Sequence, residues 1–316
     1  MPDLRVVVTC PPMLLTADEW LATLTDRGIT VDRPPVTQHV ARADLERLLP
    51  MCDGIIAGDE PLDRPLLAAA APRLRVISRW GVGTDNVDHE AARELGIVVR
   101  NTPAVFAEEV ADVALGYLLM LSRGLHQIDA GVRAGGWPKP QGISLAGRTL
   151  GVVGLGAIGR AVVRRGLAIG MDVTGVDPDA AAEAAARELG ARVLPMDELL
   201  ATAHVVSLNC PLTPATRHLI NASTLARMRP GTFLINTARG PLVDEAALAD
   251  SLATGHIGGA ALDVFESEPL PATSALRGSA NVILGSHNAS NTKEAVSRVN
   301  RLAIQNLLAV LEPDAS

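Results

Sequence analysis

Short apolar runs alternate with stretches of helical spacing along the chain. In the first third, residues 4–9, 29–31, 52–57, 74–78 and 96–101 read as strands. Residues 4–9 and 52–57 read as short buried runs, apolar apart from Arg5, Thr9 and Asp53, the pattern of strands buried on both faces. Between these runs, residues 16–27 carry Trp20, Leu21 and Leu24 at helical spacing and stop near Gly28, a C-cap signal. Residues 41–49 are helical in the same way. Residues 104–123 predict one long Ala- and Leu-rich helix, with Glu108, Glu109 and Asp112 near its positive end. Residues 131–142, with Gly135, Gly136, Pro138 and Pro140, predict a loop. The alternation resumes at Thr149 with strands at 171–176, 204–208, 232–236, 260–264 and 281–284, and a last helix over 293–311. This βαβα rhythm implies parallel sheets covered by helices.

A chain of 316 residues is long enough for two such domains, each with its own core. Aromatic residues are only 2%, so those cores are expected to be close-packed Ala, Val and Leu. The net charge of -7 argues against a nucleic-acid partner, whose phosphates call for a surplus of Lys and Arg. Three widely spaced cysteines, Cys10, Cys52 and Cys210, form no disulfide framework and point to a reducing cytoplasm. No apolar run approaches a membrane span. No His or Cys spacing suggests a metal.

The densest chemical signal is Gly154-Leu-Gly156-Ala157-Ile158-Gly159. It follows an apolar β-branched run and opens a predicted helix over 157–169. A strand, a tight glycine turn and a helix N-terminus together bring bare N–H groups to a pyrophosphate. The next strand delivers Asp177, placed to hold adenosine ribose hydroxyls. A carboxylate there repels a 2′-phosphate, and Pro178-Asp179-Ala180 offer no Arg to bind one. The expected cofactor is therefore NAD. Asp177 as a mere helix cap is the bland alternative.

Three later strands end in polar residues: Arg239 in Asn236-Thr-Ala-Arg-Gly240, Glu268 in Asp263-Val-Phe-Glu-Ser-Glu-Pro269, and His287 in Gly285-Ser-His-Asn288. The carboxyl ends of parallel strands line one crevice, so the three are expected to converge. An Arg fork suits a carboxylate, an imidazole can deliver a proton, and a carboxylate can set that imidazole's tautomer. Each could also be an ordinary surface or structural group. The other histidines read as structural or surface residues.

With these motifs in order, and Gly81-Val-Gly-Thr-Asp-Asn-Val-Asp88, Asn101-Thr-Pro103 and Cys210-Pro-Leu-Thr-Pro214 beside them, the chain resembles the D-isomer-specific 2-hydroxyacid dehydrogenases, in particular their D-3-phosphoglycerate dehydrogenase-like branch. The resemblance covers nearly the whole length. It implies two doubly wound parallel-sheet α/β domains with a cleft between them. A flavodoxin-like substrate domain would comprise residues 1–103 and 289–316, and a Rossmann NAD domain residues 104–288. It implies that Arg239, Glu268 and His287 are catalytic. Pro178, Cys210, Pro211, Thr237, Ala238 and Asp263 would join the glycine loop around NAD. Arg79, Trp80, Val82 and Gly83 would meet a small anionic 2-hydroxy or 2-keto acid, with the Val82–Gly83 backbone on its carboxylate and Arg79 near a distal phosphate or other anion. A homodimer built on the NAD domains and the helix over 104–123 is implied as well. Phosphite or formate oxidation and NAD-sensing corepression are the alternatives on a similar scaffold. The chain departs from the family pattern at Ser286 before the histidine, where proline is common, at Asn209, where histidine is common, and at Trp80, where a small residue is common.

Overall fold

The computed structural model describes residues 3–312. The chain divides into two compact units, one running up to Val105 and resuming at Asn291, the other comprising Phe106–Ser290. Residues 313–316, expected in the substrate domain, lie outside the described residues.

The first unit holds strands β1 (Arg5–Val8), β2 (Thr30–Asp32), β3 (Gly54–Ala57), β4 (Val76–Arg79) and β5 (Val98–Arg100). They form a parallel five-stranded sheet in the order β2-β1-β3-β4-β5, the flavodoxin-like arrangement. The helix Lys293–Leu311 returns to this sheet. Ser78 Oγ donates to the Ala303 carbonyl at 2.8 Å and Arg75 Nη2 to the Val310 carbonyl at 2.7 Å. Gly54 is a glycine because a Cβ there would lie 2.7 Å from Leu307.

The second unit holds β6 (Thr149–Val153), β7 (Asp172–Val176), β8 (Arg192–Val193), β9 (Val205–Leu208), β10 (Thr232–Asn236), β11 (Ile257–Leu262) and β12 (Val282–Leu284). These pair in parallel as β12-β11-β10-β9-β6-β7-β8, the doubly wound Rossmann order with its reversal between β6 and β9. Alternate residues go to opposite faces, and both faces are covered. Val152, Val205, Ile235 and Ala261 meet Ala111, Ala114 and Leu118 of the helix Ala107–Arg123. Val153, Val206, Leu234 and Ala260 meet Leu199, Leu200, Leu225 and Leu248. That double burial is why these strands are apolar throughout rather than alternating.

Three local expectations change. The long helix starts at Ala107, because residues 104–106 form a turn with Ala104 at φ +60. A further helix, Leu125–Arg133, takes in the first three residues of the loop expected over 131–142. Strand β11 runs Ile257–Leu262, not over the expected 260–264, and so includes Gly258 and Gly259. Both glycines are there for clearance: a Cβ would lie 2.7 Å from the Gly231 carbonyl and 2.8 Å from the Asn281 carbonyl.

Candidate active site

The glycine loop links β6 to the helix Ala157–Ala168. Gly154 has φ +90, and a Cβ on it would lie 2.6 Å from the Cys210 nitrogen. A Cβ on Gly159 would lie 1.9 Å from the Gly154 carbonyl. Gly156 differs, since a Cβ there would meet nothing within 4 Å. Its side of the loop therefore faces open space, at a helix N-terminus without a side-chain cap. Asp177 stands at the end of β7, where its two oxygens accept the N–H groups of Leu155 at 2.6 Å and Asp179 at 2.9 Å. The following helix is capped by Asp179, not Asp177, so the cap reading of Asp177 fails.

Across the strand-order reversal, β9 is followed by Asn209 and Cys210, and β10 by Thr237. Burial pushes the Cys210 thiol up to about 11, so it stays neutral and poorly nucleophilic. Asn209 Nδ2 donates to the Ser207 carbonyl and hydroxyl, both at 3.1 Å. Asn209 Oδ1 and Thr237 Oγ1 are buried without hydrogen-bond partners among the described residues.

Glu268 and His287 meet beyond the carboxyl ends of β11 and β12, and the loop carrying Arg239 beyond β10 lies against the Glu268 loop. The Arg239 loop is folded by Asn236, whose side chain donates to the Arg239 carbonyl at 2.8 Å and accepts the Ala238 N–H at 3.0 Å. Gly240 lets this loop touch the next one, for a Cβ on it would lie 1.9 Å from the Phe265 carbonyl carbon. In that next loop Glu268 Oε1 accepts the Phe265 N–H at 2.9 Å, while Oε2 takes His287 Nδ1 at 2.7 Å. The pair is largely shielded, with side chains 26% and 16% exposed for His287 and Glu268, so solvent competes little for their bond.

Some supporting residues gave little sequence signal. Asp263 is 2% exposed and braces the histidine loop: its carbonyl accepts the His287 N–H at 2.6 Å and its Oδ2 the Ala289 N–H at 2.8 Å. These bonds hold His287 at φ +54, so the loop is pinned although Ser286 replaces the common proline. Tyr117, the only tyrosine, donates to Asp263 Oδ1 at 3.2 Å. Glu245 accepts the Glu266 N–H at 2.6 Å, fixing the turn from which Glu268 projects. Burial, followed by the charges of Glu266 and Glu268, raises the Glu245 carboxyl above its ordinary range. His218, read as structural or surface, pairs with Glu266 at 2.5 Å. Of these, Asp263 was already expected beside NAD from the resemblance, and the isolated tyrosine was the other visible hint.

The expected substrate residues lie in the first unit. Gly81 N–H donates to Thr102 Oγ1 at 2.9 Å and the Val82 carbonyl accepts Asn101 Nδ2 at 2.6 Å, leaving Val82 exposed at the tip of the turn. Trp80 is buried, its indole N–H donating to Asn300 Oδ1 at 2.7 Å. Arg79 is buried too and pairs with Asp59. Its guanidinium is thus engaged inside the unit, contrary to the role of an available anion site.

Residues 115–289 match the family described as D-isomer specific 2-hydroxyacid dehydrogenase, NAD binding domain. The chain belongs to the D-isomer specific 2-hydroxyacid dehydrogenase family. It is 40% identical over 265 residues to a glyoxylate reductase of Korarchaeum cryptofilum, which covers 82% of this chain and 79% of that one. It is 43% identical over 259 residues to an (S)-sulfolactate dehydrogenase of Chromohalobacter salexigens, covering 81% and 84%. The solved structure of the TT0316 protein from Thermus thermophilus has a TM-score of 0.86 at 38% identity, covering 98% of this chain and 97% of that one.

The second unit of this NAD-dependent dehydrogenase fits its cofactor. The space over Gly156 and the uncapped helix N-terminus suit a pyrophosphate, and the Asp177 carboxylate suits ribose hydroxyls. The orphaned Asn209 and Thr237 oxygens mark where further polar groups would be satisfied. Among the described residues no cluster of His, Cys, Asp and Glu could hold a metal, and no helix is long and apolar enough to cross a membrane.

Proposed function

We propose that this dehydrogenase interconverts a small 2-keto acid and its D-2-hydroxy acid, with His287 as proton carrier. The Glu268–His287 bond carries the reading. Glu268 accepts from Nδ1, so Nε2 is left to give a proton to the carbonyl oxygen during reduction, or to take the hydroxyl proton during oxidation. Glu268 is itself held by the Phe265 N–H, which keeps the imidazole aimed during the transfer. Arg239 binds the substrate carboxylate and carbonyl through its planar fork. In the first unit, the exposed Val82–Gly83 turn is suited to holding a carboxylate through backbone N–H groups. NAD, when bound, would supply or accept the hydride at the substrate's second carbon. Asp263 sets the histidine loop and would hold the nicotinamide end of NAD; Pro178, Cys210, Pro211, Thr237 and Ala238 would hold the rest of the cofactor.

The two relatives act by name on different acids, so identity alone does not choose between them. The test is NADH oxidation with a panel of 2-keto acids, for the wild type and His287→Ala. Turnover should fall by about two to four orders of magnitude in the variant, with NADH affinity nearly unchanged. Intact turnover would remove His287 from its role.

We also infer a homodimer. Leu119, Leu125, Val132 and Trp137 are 38%, 46%, 43% and 78% exposed on and just after the helix Ala107–Arg123, an apolar strip suited to a second copy. A monomeric mass in sedimentation would reject it. The three buried free thiols fit a reducing cytoplasm.

A further inference from the structure

Resting on the dehydrogenase reading above, we propose that this protein selects 2-keto acids whose far end is uncharged and disfavours those carrying a second anion. The deciding residues are Asp59 and Glu60, in the turn after β3. Asp59 pairs with Arg79 Nη2. Arg79 Nη1 donates to the Trp80 carbonyl and, at 3.4 Å, to the Ala57 carbonyl. Glu60 is fully buried; its Oε1 accepts the Thr9 hydroxyl and, at 3.1 Å, the Gly58 N–H.

This turn lies against the expected substrate loop. Asn86, in the Gly81–Asp88 motif, donates to the carbonyls of Gly58 at 3.2 Å and Glu60 at 2.8 Å. A Cβ on Gly81 would lie 3.1 Å from Arg79 Nη1. The acidic turn, Arg79 and the Gly81–Gly83 turn therefore form one cluster at the carboxyl edge of the sheet. That edge includes β1 and β3, between which the strand order reverses, the place where open α/β sheets receive ligands.

The cluster holds one guanidinium and two carboxyl groups. Burial raises the Glu60 carboxyl above its ordinary range, favouring its neutral form. With Glu60 neutral the three groups sum to zero; with it ionised they sum to one negative charge. Neither state offers surplus positive charge to a second substrate anion, and Asp59 already occupies the guanidinium such an anion would need. Like charges brought together in a partly dry site disfavour binding. The glyoxylate reductase and sulfolactate dehydrogenase relatives stand by name on opposite sides of this distinction, and the acidic turn places this chain with the former.

The test uses the full-length protein, NADH, and two acids differing only by a phosphate, hydroxypyruvate and 3-phosphohydroxypyruvate. The wild type should favour hydroxypyruvate in kcat/KM by about 100-fold, and Asp59→Asn, which releases Arg79, should narrow that ratio by about tenfold. Competitive inhibition of the wild type by D-glycerate and 3-phospho-D-glycerate, which share a free 2-hydroxyl, gives the same comparison without a variant, with D-glycerate expected to bind more tightly. Equal or better use of the phosphorylated acid overturns the inference but leaves the dehydrogenase reading standing. So does an unchanged ratio in a folded Asp59→Asn protein, or tighter inhibition by 3-phospho-D-glycerate. Turnover of neither acid, nor of any other 2-keto acid, with NADH still bound overturns the dehydrogenase reading and this inference with it.

Discussion

The three glycines of the cofactor loop should separate cleanly under substitution by alanine. At Gly156, φ -63 and ψ -164 suit an L-residue, and a Cβ would meet nothing within 4 Å. Alanine at this N-cap position costs up to about 1 kcal/mol against glycine. Reduced freedom of the unfolded chain returns about 0.4–1 kcal/mol. The net effect on the cofactor-free protein is near zero, a Tm change within about 3 °C. The same methyl group occupies the open space where a pyrophosphate must approach the backbone. Losing one hydrogen bond to a charged group costs about 1.5–3 kcal/mol, which raises the NADH Kd by about 10- to 150-fold. At Gly159, by contrast, the Cβ would stand 1.9 Å from the Gly154 carbonyl, and at Gly154 the positive φ adds to a 2.6 Å clash. Those two variants should lose stability before binding can be measured. Thermal melts without cofactor and NADH fluorescence titration give both readouts. Wild-type NADH affinity in Gly156→Ala would refute the placement of the pyrophosphate, and a Tm as low as that of Gly159→Ala would refute the clearance argument.

Arg239→Lys should lower kcat/KM for the keto acid by about 10- to 100-fold, because an ammonium replaces a two-point fork with one point; activity within twofold of wild type would exclude bidentate binding. NADH should be preferred over NADPH by about 100-fold in kcat/KM, some 2.8 kcal/mol of repulsion between Asp177 and a 2′-phosphate. Comparable values for both cofactors would remove Asp177 from the ribose. His204 Nδ1 accepts the Thr149 N–H at 3.1 Å, which requires a neutral ring. Burial, then the charges of Arg229 and Arg148, depress its pKa from 6.5. A base with a depressed folded pKa contributes stability above its unfolded pKa and loses that contribution as pH falls through the folded value. The Tm advantage of wild type over His204→Gln should therefore shrink between about pH 7 and pH 5, and a constant gap would contradict the bond.

Much of this protein was legible in its residues taken in order. Strand positions followed from apolar runs, because a parallel strand covered on both faces has no polar side to show. The glycine loop, Asp177 and the strand-end residues Arg239, Glu268 and His287 followed from rules that tie chemistry to the carboxyl ends of strands. Tertiary structure decided what depends on approach between distant segments. Gly258 and Gly259, outside the strand expected over 260–264, belong to β11, where the carbonyls of Gly231 and Asn281 leave no room for a Cβ. Asp263 and Glu245 act as braces because loops 20 or more residues apart meet there, and no local pattern encodes that. Arg79 is the clearest case. In sequence it is a cation waiting beside a substrate loop; in the fold, Asp59 and two backbone carbonyls already hold it. Residue type determined that a charge would be present, but only packing decided which partner would neutralise it, since the strength of a charge toward a ligand depends on what lies within a few ångströms.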